Sequence, residues 1–260
     1  MRVLVTRPQR EAEPWVERLR GQSVDAHALP LIEIGPAPDA AALASARERL
    51  GEFKAAMFVS SNAVHGLLEE KAPGSRMDTA WAAIKTRAWA TGPGTRDALL
   101  AWGVPAASID APADDAAQFD SEALWARVGA GVRAGDRVLI VRGADAQGRV
   151  QGLDWLAQQL EAAGAAVETV ASYCRRAPQW TDAQRSVAEQ AAAEGSLWLF
   201  TSSEAVHNLR ALLPAQDFSR ASAVATHERI AQAAREAGFG VVRTSRPAFG
   251  DIVRSIESAR

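Results

Sequence analysis

Small hydroxyl and amide residues recur at one kind of place in this chain, directly after short β-branched runs. Thr6-Arg7, Ser60-Ser61-Asn62, Thr91-Gly92-Pro93-Gly94-Thr95, Arg142-Gly143 and Thr201-Ser202-Ser203 all follow such runs. At a strand-to-helix turn the first N–H groups of the helix lack intrahelical partners, and the positive end of the helix dipole adds to them. Turns of this kind hold anions through backbone and hydroxyl donors. The same residues are also ordinary helix caps, each worth about 0.5–2 kcal/mol with no ligand at all. The two uses are compatible, because a cap satisfies only some of the free N–H groups. Arg7, Arg142 and Arg149 follow strand ends and have the forked donors that pair with carboxylates, with a solvated surface position as the plain alternative.

Tyr173 is the sole tyrosine and falls in a segment expected to connect domains, which places it at a hinge and outside either core. A phenol at its reference pKa of about 10 stays protonated at neutral pH and can give its proton to a leaving hydroxyl. A wedge between domains is an equally good use of the position. The histidines are His27, His65, His207 and His227, and none forms an HxxxH or Cys-His ligand spacing, so no metal site is expected. His65 and His207 occupy matching places in a repeat described below and are expected to serve structure. The GPG at residues 92–94 lacks the remainder of a dinucleotide or P-loop motif, and no GxSxG surrounds Ser60 or Ser202. Neither a nucleotide cofactor nor serine hydrolysis is indicated.

Composition narrows the function classes further. Lys and Arg number 29 against 31 Asp and Glu, a net charge of −2. That is far from the basic surplus that binding to a phosphate backbone requires, so nucleic acid is not an expected partner. The eight Trp residues are not interleaved with basic runs, and Trp15, Trp102 and Trp155 sit in apolar helical patterns that favour packing. No stretch approaches the roughly 20 apolar residues of a bilayer span. The opening MRVLVTRPQREAEPW has only four apolar-or-Thr positions in a row, short of the about 7–15 of a secretory signal. Cys174 is the only cysteine, which precludes an internal disulfide and suits a reducing compartment. A cytoplasmic location is expected.

At 260 residues the chain exceeds the usual limit of a single core, so two domains are the default. Ten short strands are expected, at 3–6, 24–29, 55–59, 88–90, 108–110, 138–141, 167–170, 197–201, 223–225 and 241–243, alternating with helical patterns such as Leu153, Leu156, Leu160 and Ala163. Parallel sheets flanked by helices follow. Trp102-Gly103-Val104, Ala163-Gly164-Ala165 and Ala237-Gly238-Phe239 have the form of left-handed helix C-caps leading into a strand.

The chain also repeats itself. VLVTRP at residues 3–8 resembles VLIVRG at 138–143, FVSSNAVHGLL at 58–68 resembles FTSSEAVHNLR at 200–210, and ATGPGTRDALLAWGV at 90–104 loosely echoes ATHERIAQAAREAGF at 225–239. Two halves of five strands result if the outer two segments join and the inner two join. Connections are then needed near 30–38 and 171–178, where PLIEIGPAP and ASYCRRAP are extended and closed by proline. This gives one discontinuous domain of residues 1–35 with 176–260, and a second of residues 36–172.

Together these segments, with PLIEI at 30–34, ATGPGT at 90–95, SYCRR at 172–176 and THERIAQAAREAGF at 226–239, resemble the uroporphyrinogen-III synthase family over nearly the whole chain. The resemblance implies two flavodoxin-like lobes, each a five-stranded parallel sheet flanked by helices, joined by a two-stranded linker, with the ligand between them. It implies a cofactor-independent monomeric enzyme that closes hydroxymethylbilane to uroporphyrinogen III and inverts ring D, with the substrate supplied by the preceding deaminase. Tyr173 then matches the family's linker tyrosine, an acid for hydroxyl departure. Thr95, Ser61, Asn62, Ser202 and Ser203 match cleft hydroxyl positions and Arg7, Arg142 and Arg149 cleft-rim positions, and Thr6, Ser60 and Gly92 of the same strand-end turns complete the expected substrate-binding set. Where some members carry a Gly-Thr turn in the last repeat this chain has His227-Glu228-Arg229-Ile230, which leaves Thr226 as the substitute. A non-catalytic tetrapyrrole-binding or small-anion-binding module of the same shape is the alternative.

Overall fold

The computed structural model describes residues 1–69, 81, 83–113, 119–150 and 155–259. Leu153, one of the expected helix positions, lies outside them. In chain order the elements begin with β1 (Arg2–Val5), α1 (Gln9–Arg20), β2 (Asp25–Ala28) and β3 (Glu33–Gly35). Then come α2 (Ala40–Glu48), β4 (Ala55–Phe58), α3 (Ser61–Leu68), β5 (Arg87–Ala90), α4 (Pro93–Ala101), β6 (Ile109–Asp110), α5 (Ser121–Val128), β7 (Arg137–Ala144), α6 (Trp155–Ala162) and β8 (Ala166–Arg176). The chain finishes with α7 (Asp182–Ala193), β9 (Leu197–Phe200), α8 (Ser203–Leu212), β10 (Ser222–Ala225), α9 (Glu228–Glu236), β11 (Val241–Thr244) and α10 (Phe249–Glu257).

These elements divide into two units, Met1–Glu33 with Arg176–Arg260, and Ile34–Arg175. The first is built on a sheet of order β11-β10-β9-β1-β2, all parallel. Its central strand β9, Leu197–Phe200, is apolar at every position, as a strand covered on both faces must be. Val3, Val5, Leu197 and Leu199 face α1 and α10 through Val16, Leu19, Ile252 and Ile256. The alternate residues Trp198 and Phe200 turn to the other face and join Phe218 and Phe239 in a cluster of edge-to-face and stacked rings.

The second unit has the order β3-β8-β7-β4-β5-β6. Ala56, Phe58, Leu139 and Val141 pack beneath Val64, Leu67 and Leu99 of α3 and α4, while Ala55, Met57, Val138 and Ile140 pack against Leu124, Leu156 and Leu160 of α5 and α6. The repeated segments hold equivalent places in the two sheets. β1 and β7 carry the first motif, β9 and β4 the second, β10 and β5 the third, and in each sheet these three strands are consecutive neighbours. Gly103 and Gly238 end matching helices with φ of 82° and 91°, the left-handed geometry their spacing predicts.

The strand count is corrected here. Eleven strands form among the described residues, and the second sheet has six of them where five were expected. The extra one is β3, which the prolines at 30, 36 and 38 disguise as a plain connection. Between those prolines, Glu33–Gly35 lies extended at the edge of the sheet beside β8, and β8 itself runs on for 11 residues through SYCRR to Arg176. An ion pair between Arg176 and Glu33 ties the far ends of the two strands.

Candidate active site

In parallel α/β sheets, ligands bind beyond the carboxyl ends of the strands, beside the point where strand order reverses. That point lies between β1 and β9 in the first unit, and between β7 and β4 in the second.

In the second unit the carboxyl edge is organised around Tyr173. Its position corrects the expectation of a residue outside either core, because the side chain is only 5% exposed and belongs to the core cluster under α3. The cause is the pairing of β7 with β8, which slips between Arg142 and Gly143: Arg142 pairs with Ala171, but Gly143 pairs with Tyr173. The phenol ring rests on Gly143, where a Cβ would stand 2.5 Å from the ring carbon Cζ and 2.8 Å from the hydroxyl oxygen. Only glycine leaves room for the ring. Across the edge, Tyr173 Oη lies 3.1 Å from Ser60 Oγ, with either oxygen able to donate. Ser60 is the N-cap of α3, and its Oγ accepts the N–H of Ala63 at 3.1 Å. One serine therefore caps a helix and holds the phenol.

Ser61 and Asn62 form the first turn of α3 and are half-buried. Gly92 caps α4 with its backbone alone, followed by Pro93 at the first helical position, where the missing N–H costs nothing. Thr91 Oγ1 donates to Val59 O at 3.4 Å, which links the two strand ends. Thr95 sits in α4 and is only 6% exposed. Arg142 is half-buried at the end of β7. Arg149 belongs to a turn gathered on Asp145, whose carboxylate accepts the N–H groups of Gln147 and Arg149 at 3.0 and 2.9 Å and the Arg149 Nε at 3.0 Å.

In the first unit, Thr6 is buried and donates its hydroxyl to Leu199 O at 2.7 Å, joining β1 to β9. Arg7 lies 4.5 Å above the Trp15 ring and donates to Glu11 at 3.3 Å. Burial pulls its pKa below the ordinary arginine value, with Glu11 opposing. Ser202 caps α8 by accepting the Glu204 N–H at 3.2 Å, and the Ser203 Oγ is buried without a hydrogen-bond partner among the described residues. Thr226 is half-buried and donates its N–H to Phe200 O at 3.2 Å. The departure at the last repeat has a structural answer, since His227 Nδ1 accepts the Arg229 N–H at 3.1 Å and does the capping.

The structure thus brings Ser60 and Tyr173 into direct contact and sets Ser61 and Asn62 on the same helix start. It commits the Thr6 hydroxyl to the sheet and Arg149 to its own turn. Sequence reasoning missed Gly143 as the seat of the phenol and Gly66 of α3. Gly66 carried a usable signal: an isolated glycine inside a helical pattern costs about 1 kcal/mol against alanine and so has a packing reason. His65 accepts the Trp102 indole N–H on Nδ1 at 2.8 Å, and His207 is exposed on α8. Among the described residues no group of three or more His, Cys, Asp or Glu is arranged to hold a metal ion, and no helix is long and apolar enough to cross a membrane.

Comparison with known proteins extends this picture. No curated protein sequence gives a match. Among solved structures, the chain is similar to uroporphyrinogen-III synthetase from Helicobacter pylori, with a TM-score of 0.64 at 18% identity over 100% of both chains. It is also similar to a mutant uroporphyrinogen III synthase from the extremely thermophilic bacterium Thermus thermophilus, with a TM-score of 0.54 at 18% identity over 100% of this chain and 98% of that one. At these identities the likeness establishes a shared α/β fold. The profile of the family described as uroporphyrinogen-III synthase HemD matches residues 13–254, nearly the whole chain, and the chain belongs to that family.

Proposed function

We propose that this chain closes hydroxymethylbilane to uroporphyrinogen III in tetrapyrrole biosynthesis, with Tyr173 as the acid that releases the hydroxyl group. Its two units are flavodoxin-like halves, residues 1–33 with 176–260 and residues 34–175. The first sheet reads 2-1-3-4-5 in chain order, and the second, β8-β7-β4-β5-β6, is its circular permutation with β3 as an added edge.

The observation that carries the reading is the Ser60–Tyr173 contact. Ser60 Oγ accepts the Ala63 N–H, which leaves its own proton free to point at the phenol oxygen. A hydrogen bond received there stabilises a developing phenolate and so helps the phenol give up its proton. That proton leaves with the substrate hydroxyl as water, the C–O bond breaks, and an azafulvene electrophile remains. The substituted carbon of ring D attacks it to form the spiro intermediate, which reopens and recombines with the ring inverted. The proton lost when the pyrrole regains aromaticity restores the phenol.

The substrate is flexible and carries an acetate and a propionate on each ring. Within the second unit the starts of α3 and α4 with Ser61 and Asn62, and within the first the start of α8 with Ser202 and Ser203 and separately Arg7, are donors of the kind that hold carboxylates without a basic surface. Holding the chain folded is also what favours the inverted product over spontaneous closure to isomer I.

The test is direct. Purified protein is added to freshly generated hydroxymethylbilane, and the oxidised porphyrins are separated by chromatography. The enzyme shifts the product from isomer I to isomer III. Folded protein that binds the bilane and yields only isomer I is a non-catalytic binding module instead.

A further inference from the structure

In β8, Val170 packs into the core beneath α3, so strict alternation puts Ser172 on that face and turns Tyr173 to the other one. The pairing with β7 breaks that rule. Ala171 lies opposite Arg142 and Tyr173 opposite Gly143, which leaves Ser172 as the extra residue of a β-bulge. Both side chains consequently face α3. Ser172 Oγ donates to Ala63 O at 3.2 Å while Tyr173 Oη meets Ser60 Oγ at 3.1 Å. Re-aiming a side chain is what bulges beside functional sites do.

Helix α3 is seated on this bulge with no space to spare. A Cβ on Gly66 would stand 2.4 Å from the Ser172 carbonyl oxygen and 2.8 Å from its Oγ. At the same C-terminal turn, Arg47 donates to the carbonyls of Gly66, Leu67 and Glu69 at 2.7, 2.6 and 2.9 Å, capping the oxygens at the end of the helix. The matched helix α8 carries Asn208 where α3 carries Gly66, and its Nδ2 donates to Leu31 O at 2.8 Å. Both copies thus fasten the same helical turn to the segment at the end of their second strand, one by close approach and one by a side chain.

We infer that Ser172 is a positioning residue for Tyr173. Its place as the bulge residue and its bond to Ala63, with Gly66 as the close-contact seat, set the register at which the phenol meets Ser60. Ser172 is buried with its hydroxyl committed to Ala63 O, and it acts by fixing the first turn of α3 against β8. The inference rests on the reading of Tyr173 as the acid.

The test uses the fact that Tyr173 is the only tyrosine, so protein labelled with carbon-13 at the tyrosine Cζ gives a single resonance that responds to hydrogen bonding of the phenol. Ser60→Ala is the reference for a phenol without its serine partner. Ser172→Ala is expected to move the resonance in the same direction, to lower kcat about tenfold or more and to leave KM within about twofold, as misplacement of a reacting group does. Ser172→Thr, which retains the hydroxyl, is expected to restore both. Gly66→Ala, which lifts the helix without removing a polar group, is the second variant, with the same expected shift and loss. Folded Ser172→Ala and Gly66→Ala proteins with an unmoved resonance overturn the inference, as does a large rise in KM without a shift. If the resonance moves but Tyr173→Phe turns over normally, the positioning stands and the acid role fails. If Tyr173→Phe is crippled while the resonance stays in place in both variants, the acid role stands and the positioning fails.

Discussion

Ser60 Oγ lies 3.1 Å from Tyr173 Oη, joining the N-cap of α3 to strand β8 across 113 residues of sequence. Neither partner is a spare surface group. Ser60 is already the acceptor for the first turn of its helix, and the phenol is packed against Gly143. The contact therefore ties the placement of one hydroxyl to the packing of a strand, a bulge and a helix start.

Gly143→Ala tests the seat of the phenol. The new methyl would stand 2.5 Å from Tyr173 Cζ, so the ring or the strand must move. Overpacking of this kind typically costs about 1–3 kcal/mol. Urea unfolding is expected to show that loss and turnover to fall with it. A variant of unchanged stability and rate would mean that the ring is not held as described.

Arg7→Met separates carboxylate binding from packing. Methionine keeps an apolar stem near Trp15 but loses the charge over the ring, worth about 0.5–2 kcal/mol, and the bond to Glu11. If Arg7 also receives a substrate carboxylate, KM rises about tenfold, the weight of one charge-assisted contact, with kcat unchanged. Steady-state kinetics decide this, and an unchanged KM restricts Arg7 to stabilising α1.

Much of this architecture was legible in the sequence, because duplicated segments announce equivalent strands. VLVTRP and VLIVRG form β1 and β7, and the paired FxSSxAVH segments form β4 with α3 and β9 with α8. What escaped was whatever depends on pairing across strands. Glu33–Gly35 is too short and too close to prolines to announce itself as a strand, and becomes one through β8 beside it. The inward turn of Tyr173 was hidden for the same reason: a period-2 pattern places residue 173 opposite to residue 172, and the bulge that defeats it is visible only in the register with β7. For the hydroxyl turns, sequence alone could not separate Ser60, whose oxygen meets a phenol, from Thr6, whose oxygen is spent on Leu199.

Acid stability should depend on Glu168. Hydrogen bonding to Arg49, and then the charges of Arg49 and Arg137, hold its carboxyl below the usual glutamate value against an opposing effect of burial. A carboxyl with a depressed folded pKa contributes stability above its unfolded pKa, about 4.3, and that contribution is lost as pH falls through the folded value. Glu168 is 39% exposed, so solvent screening limits the effect to about 1 kcal/mol or less. Glu168→Gln is expected to lower stability at pH 7 slightly and to flatten its decline below about pH 4.5. Parallel pH profiles of denaturant midpoints for the two proteins would contradict the assignment.

The most direct test of the account as a whole is Tyr173→Phe, measured as kcat on fresh hydroxymethylbilane with the melting temperature recorded alongside. Phenylalanine keeps the ring on Gly143 and removes only the oxygen that meets Ser60. The predicted result is a fall in kcat of about 100-fold or more, the usual contribution of a positioned acid, in a protein that remains folded and binds substrate with a similar KM. Turnover to isomer III at the rate of the unaltered protein would contradict it.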